Sequence, residues 1–380
     1  MSSDTNTEPT PAERPVDREP LDLLIVGTLG GGGIHHYVEE QAERLPDHLS
    51  VSVYDMVADP TGSGPIWFLS SLLRSLWAIL KFPFRSPPDV VHVHTSHRFS
   101  FYRASFYALF AAYVWQRPVL LHVHGSSFDD FAETDDVGVR WLQSTVFGAV
   151  DRIVVLSEYW RDVLSQTVSE DKIQVLPNAV DPTDYNPDFE RDLPHIVFVS
   201  NLIGRKGVLE LIEAIETLEN RDATYRATIA GKGTLADAVE ELASKYDTVD
   251  YVGYVSESRK RELLDSGSVF VLPTYAEGLP IAMLEGMAGG NAIVSTAVGS
   301  IPEVIDEMEN GILVEPGDPV ALADALERLV TAPEKTEEMA RRNRSLIEEE
   351  YAWDRSTEEL ERMYLDEYRK ASVSRSVARA

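Results

Sequence analysis

Cysteine is absent from this 380-residue chain. No disulfide framework, thiolate metal site or cysteine nucleophile can therefore operate in it. Lysine is scarce as well: 8 of the 34 basic residues are Lys, and 63 Asp and Glu bring the formal net charge to −29. A surface this acidic repels nucleic acid and anionic headgroups, so no nucleic-acid partner is expected. It suits a salt-adapted cytoplasmic protein, kept soluble where salt screens self-repulsion. Residues 1–20 are rich in Ser, Thr, Pro and Glu and lack the apolar stretch of an export leader. They read as a disordered tail. The one strongly apolar stretch, PIWFLSSLLRSLWAILKFPF from Pro65 to Phe84, is interrupted by Arg74, Lys81 and several serines, too often for a spanning helix. It either lies peripherally on the inner face of a membrane, with Trp67, Trp77 and Phe82 entering lipid, or packs on the sheet of its own domain.

What is present is an ordinary globular composition, 44% hydrophobic and 26% charged, long enough for two or three domains. From Leu21 onward, LDLLIVGT, LSVSVYDMV, DVVHVHT, RPVLLHVHG and DRIVVLS predict strands, the later ones almost unbroken in Val, Ile and Leu. Such runs belong to parallel strands covered on both faces. Helices are predicted between them. The polar segment PNAVDPTDYNPDFERDLP interrupts the pattern, which restarts at HIVFVSNL and continues through TYRATIAG, TVDYVGYV, SVFVLPT, NAIVST and GILVEP. Two βαβα blocks imply an α/β chain of two doubly wound, Rossmann-like domains with ligands in the cleft between them. The expected limits are 21–180, a linker at 181–194, 195–350, a C-terminal helix at 351–370 packing back towards the first domain, and a tail at 371–380.

The densest chemical signal is PTYAEGLPIAMLEGMAGG, Pro273 to Gly290. Gly278, Leu279 and Pro280 open a helix whose free amides form an anion site, and Gly278 lets a phosphate approach the main chain. Glu277 and Glu285 flank it. Were all eight intervening steps helical, the two would stand ~12 Å apart at ~1.5 Å per residue. Carboxylates beside a phosphate would repel it, so both are expected to accept hydroxyls at the two ends of a ligand with an anionic middle. The loop SNLIGRKG supplies the cations Arg205 and Lys206 at the end of the first strand of the second block.

The block P-T-x-x-E-G-x-P-x-x-x-L-E-G-M-A-x-G resembles the signature of retaining glycosyltransferases of family 4, which adopt the GT-B fold. GTLGGGGIHHYVEE, HVHG, PNAVD, N-L-x-x-x-K-G, AGKGTL, GSIPEVI and NGILVEPGD fall in that family's order, so the likeness covers residues 21–330. It implies a sugar moved from a nucleotide-diphosphate donor to a glycan or lipid-linked acceptor, with the first domain on the acceptor side. Glu285 would take the ribose hydroxyls and Glu277 the donor sugar. Amides at Gly278 and Leu279 would hold the diphosphate beside Lys206. The family commonly has Arg where Asn201 stands, and Arg205 is expected to replace that charge.

In the first block, the glycines before the first helix do not fit the G-x-G-x-x-G of a dinucleotide fold, although Asp55 falls where an NAD enzyme places its ribose acid. In the resemblance, Gly32 and Gly33 instead bring main chain to the donor phosphate or the acceptor. His124, ending the strand RPVLLHVH, would face the donor sugar, with His94, His97 and Ser126 on the acceptor side. His92, His94 and His97 also invite a metal, but with no cysteine nearby an acceptor-side lining is preferred. No strand-end D-x-D is evident to hold a phosphate-bridging Mg²⁺, so no obligatory metal or other cofactor is expected. A non-catalytic nucleotide-sugar-binding protein and a GT-B epimerase remain the alternatives.

Overall fold

The computed structural model describes residues 20–30, 33–56, 65–126, 128–190, 193–221 and 223–379. Two six-stranded sheets, parallel throughout, each carry helices on both faces. The first contains β1 (Leu21–Gly27), β2 (Leu49–Asp55), β3 (Val90–Thr95), β4 (Val119–Val123), β5 (Arg152–Val155) and β6 (Ile173–Val175), in the order β2-β1-β3-β4-β5-β6. The second contains β7 (His195–Val199), β8 (Arg226–Ala230), β9 (Val249–Gly253), β10 (Val269–Leu272), β11 (Ala292–Thr296) and β12 (Gly311–Val314), in the order β12-β11-β10-β7-β8-β9. Each order reverses beside its first strand, and such a switch point opens a crevice at the strands' carboxyl ends. Eleven of the twelve strands fall within runs that β-branched residues mark in the sequence. The exception, β6, has only three residues.

The segment after 181 is held against the second domain rather than hanging between the two. Asp265 accepts from the Asn186 amide through its side chain and from the Asp188 amide through its carbonyl, and Tyr185 is buried. The charged C-terminal stretch forms two helices, Pro333–Glu350 and Trp353–Arg379. Between them, Ala352 pairs with Val180: the Val180 amide donates to the Tyr351 carbonyl at 2.9 Å and the Trp353 amide to the Val180 carbonyl at 3.2 Å. Both crossings of the chain between the domains therefore lie side by side. Beyond them the last helix packs on the first sheet, burying Leu360, Met363 and Tyr364 and pairing Glu367 with Arg152 at 2.7 Å. It runs through 371–379, where the sequence implies a loose tail, because no residue there breaks a helix.

The apolar helix Pro65–Lys81 packs by a narrow stripe containing Ser75 and Ala78, and Tyr54 Oη donates to the Ala78 carbonyl at 2.6 Å. Leu69, Leu72, Leu73, Leu76, Trp77 and Leu80 stay exposed. Phe82 does not join them: it is fully buried among Tyr54, Tyr107, Phe110 and Trp115, which corrects its expected contact with lipid. Among the described residues no helix is long and apolar enough to cross a membrane.

Candidate active site

The strand ends of the second sheet gather the acidic and basic residues of the site. The short turn Gly204–Lys206 follows β7, and the loop 273–280 follows β10, its neighbour. Lys206 Nζ pairs with Glu277 Oε1, both side chains nearly buried, and Thr274 Oγ1 donates to the same oxygen at 3.2 Å. Arg205 lies on the exposed side, with Nη1 donating to the Ala276 carbonyl at 2.6 Å. Asn201 is exposed. Pro280 is the N-cap and the helix spans Ile281–Ala288, so only part of the interval from Glu277 to Glu285 rises helically. The all-helical separation is thus not the relevant one.

Glu285 is buried and accepts from Lys260 Nζ at 2.7 Å. Burial opposes the Lys260 charge, but Glu285 and Glu257 outweigh it and hold the ammonium above its ordinary range. Glu285, Lys260 and Glu257 line a cleft of about 530 Å³ together with Gly33, His35, His36 and Tyr254. Gly33 starts the helix Gly33–Arg44 on the opposite domain. Gly32 lies outside the described residues. Lys232 Nζ sits 4.6 Å from the Tyr254 ring centroid at the mouth of β9.

The two domains close on the Glu277–Gly278 loop. A side chain at Gly278 would meet the His124 carbonyl at 2.9 Å. Gly299, at φ +55°, is equally constrained, because a Cβ there would strike the Glu277 carbonyl. Trp160 Nε1 donates to the Gly278 carbonyl at 3.3 Å, and Asn178 Nδ2 to the buried Leu279 at its carbonyl, 2.6 Å away. The Glu303 carboxylate, from the second domain, accepts from the amides of Glu158 and Tyr159 and so caps the helix Glu158–Ser165 of the first.

Below this contact, β3 and β4 hold a ladder of histidines. His92 and His94 share a face of β3, His122 on β4 and His124 just past its end continue it, and His94 is in register with His122. His94 Nδ1 lies 2.8 Å from His124 Nε2. Burial pushes His92 and His124 down to about 3, and His94 and His122 well below the imidazole range, so all four rings are neutral at physiological pH. His94 has no exposed surface. It supports His124 from behind and cannot touch an acceptor, which corrects its expected place in the acceptor lining. His97 sits apart, half-buried, with Nδ1 3.2 Å from Ser96 Oγ. Ser126 is partly exposed just beyond Gly125.

Residues 193–332 match the family of glycosyl transferases group 1, and residues 31–184 match glycosyltransferase family 4. The chain belongs to these family 4, group 1 glycosyltransferases. It is 27% identical to alpha-maltose-1-phosphate synthase of Mycolicibacterium smegmatis, over 90% of this chain and 96% of that one. It is 29% identical to one component of the human phosphatidylinositol N-acetylglucosaminyltransferase, over 78% of this chain and 61% of that protein. The chain thus spans less than two thirds of the latter's length. Sucrose-phosphate synthase from Thermosynechococcus elongatus superposes with a TM-score of 0.71 at 17% identity, over 91% of this chain and 98% of that one. Anabaena HepE in complex with UDP gives 0.69 at 15%, over 91% and 100%. These glycosyltransferase neighbours fix the GT-B fold.

Lys260, Lys232 and Asn178 are site residues that motif reading passes over. Asn178 stands inside PNAVD and Lys232 inside AGKGTL, so their segments are visible but their roles are not. Lys260 has no motif around it. The one signal is scarcity: Lys206, Lys232 and Lys260 are three of only eight lysines, and all lie near the cleft.

Proposed function

We propose that the chain transfers a hexose-type sugar from a nucleotide-diphosphate donor to an acceptor hydroxyl with retention of anomeric configuration. The observation that carries this reading is the Lys206–Glu277 pair, set at adjoining strand ends where Gly278 meets His124 of the other domain. The diphosphate would lie against the amides around Gly278 and Leu279, with Lys206 drawn partly from Glu277 onto the phosphate. Stabilising the departing diphosphate is then the largest catalytic contribution. Freed in part from Lys206, Glu277 would accept the donor sugar's hydroxyls and hold the anomeric carbon towards His124. Glu285, steadied by Lys260, would accept the ribose hydroxyls. The neutral ring of His124 can exchange a hydrogen bond with sugar but carries no charge to repel a developing oxocarbenium ion. The departing phosphate would take the acceptor's proton on the same face, so no protein nucleophile and no phosphate-bridging metal is needed.

UDP in HepE and a sugar phosphate in the name of the mycobacterial relative support a uridine or similar donor and a small or lipid-linked glycan acceptor. The exposed leucines and Trp77 of the helix Pro65–Lys81 fit peripheral docking beside a lipid-linked acceptor. The decisive experiment incubates the chain in molar KCl with UDP-, GDP- or ADP-glucose and glucose-phosphate or lipid-linked sugar acceptors. NMR then reads the product's anomeric coupling. Retention is expected. An inverted anomer contradicts the mechanism, donor epimerised without acceptor indicates an epimerase, and donor binding without any turnover indicates a non-catalytic protein.

A further inference from the structure

The histidine ladder contains more polar capacity than the transfer reaction uses. His92, His94 and His122 have no exposed surface. Nε2 of His92, Nε2 of His94 and both ring nitrogens of His122 have no hydrogen-bond partner among the described residues. Buried polar atoms are ordinarily paired, so four such nitrogens in one patch call for an explanation. They are also close together: one nitrogen from each ring lies within 4.8 Å of one from each of the others. The strand pairing is the cause, since His92 and His94 are two residues apart on one face of β3 and His122 stands opposite His94.

We propose that His92, His94 and His122 form a binding site for one transition-metal dication of the zinc class, beneath the floor of the cleft. Three imidazoles with no carboxylate or thiolate suit Zn²⁺, Co²⁺, Ni²⁺ or Cu²⁺ and not Mg²⁺ or Ca²⁺, which require oxygen ligands. Neutral rings are the ligating form, and burial keeps these rings neutral. The outer contacts are those a metal-bound histidine uses to fix its ring. His92 Nδ1 lies 2.7 Å from Tyr364 Oη and 3.0 Å from the Gln41 carboxamide, and His94 Nδ1 lies 2.8 Å from His124 Nε2. A half-turn of the Gln41 carboxamide brings its oxygen to accept Nδ1–H of His92, leaving the Nε2 lone pair facing inward. The ion would join β3 to β4. It would also reach His124 through His94, and the last helix through His92 and Tyr364.

The site does not depend on the donor chemistry and is separate from the cleft cluster of His36, Glu257 and Glu285, which also places three ligand atoms together. Its test uses the untagged full chain, stripped with chelator and titrated with Co²⁺ and then Zn²⁺ in molar KCl. One Co²⁺ per chain is expected, with a visible ligand-field spectrum, X-ray absorption showing imidazole nitrogen, and a rise in melting temperature. His122→Val should weaken binding at least 100-fold and abolish the temperature shift. His36→Gln should leave both unchanged. Absence of stoichiometric binding to the wild type overturns the proposal, as does His122→Val retaining the spectrum or His36→Gln losing it. Should His122→Val fail to fold, His92→Phe takes its place with the same expectations.

Discussion

At the scale of single residues, the Lys206–Glu277 pair is the proposed means by which an acidic chain receives an anionic donor. Before the donor arrives, each charge satisfies the other in a nearly buried position. Replacing one alone strands its partner, which costs about 3–5 kcal/mol for a buried pair. Lys206→Met should therefore destabilise the chain, and Lys206→Met with Glu277→Gln should recover most of the loss in a urea melt. In steady-state assays Lys206→Ala should lower kcat/KM by about 100-fold to 1000-fold, the scale of one lost oxyanion donor. Arg205→Ala, exposed and tied to the Ala276 carbonyl, should weaken donor binding by about tenfold. If Arg205→Ala leaves donor affinity unchanged while Lys206→Ala weakens it, Arg205 does not replace the charge missing at Asn201. The histidine ladder sets a second expectation, for the metal-free chain. Its folded-state values lie far below 6.5, so below that pH the unfolded chain binds more protons. Stability is then complete above pH 6.5 and falls as pH drops towards about 3, by up to about 1.4 kcal/mol per pH unit for each ring. Urea melts between pH 6.5 and 5 check this, and His122→Val should lower the slope by about one proton.

At the scale of elements, the helix Pro65–Lys81 buries too little of its apolar surface to be explained by its own domain. Trp77 is 59% exposed and Leu80 61%. If this face meets lipid, liposomes should float the wild type and release Trp77→Glu, whose circular dichroism should match the wild type because the side chain leaves no core. Equal flotation of the two removes the lipid role. The apolar character of this stretch is legible in the sequence, but the division between its faces is not, since Phe82 belongs by composition to the exposed set and by packing to the core. The same boundary separates what motifs convey from what pairing conveys. Glu277, Glu285 and Lys206 are readable because a local turn and a strand end fix them. The trio His92, His94 and His122 is not, because it depends on which residue of β4 faces His94; the sequence points to His97 as the third member. Lys260 and Glu303 reach their partners across 25 and about 145 residues, distances over which no local pattern operates.

At the scale of the molecule, the net charge of −29 sets how the fold responds to salt. The ion pairs do not offset it. Many join side chains on one helix three or four residues apart, such as Arg341 with Glu337 and Arg344 with Glu348, and exposed pairs of this kind contribute about 0.3–0.5 kcal/mol each. The unpaired excess of carboxylates repels itself across the surface. At about 0.1 M salt the screening length is roughly 10 Å, long enough for neighbouring acidic side chains to interact, and at about 1 M it is roughly 3 Å, too short. Raising KCl therefore removes a cost that the folded chain bears more than the expanded one. The nearly buried Lys206–Glu277 and Lys260–Glu285 pairs, in direct contact, are screened less than surface pairs and lose little. The urea midpoint should rise steeply between 0.1 and 1 M KCl and then level off as screening saturates. A continued linear rise would mark exclusion of the salt from the surface as the cause, and a falling midpoint would show that attraction among the surface pairs exceeds the repulsion.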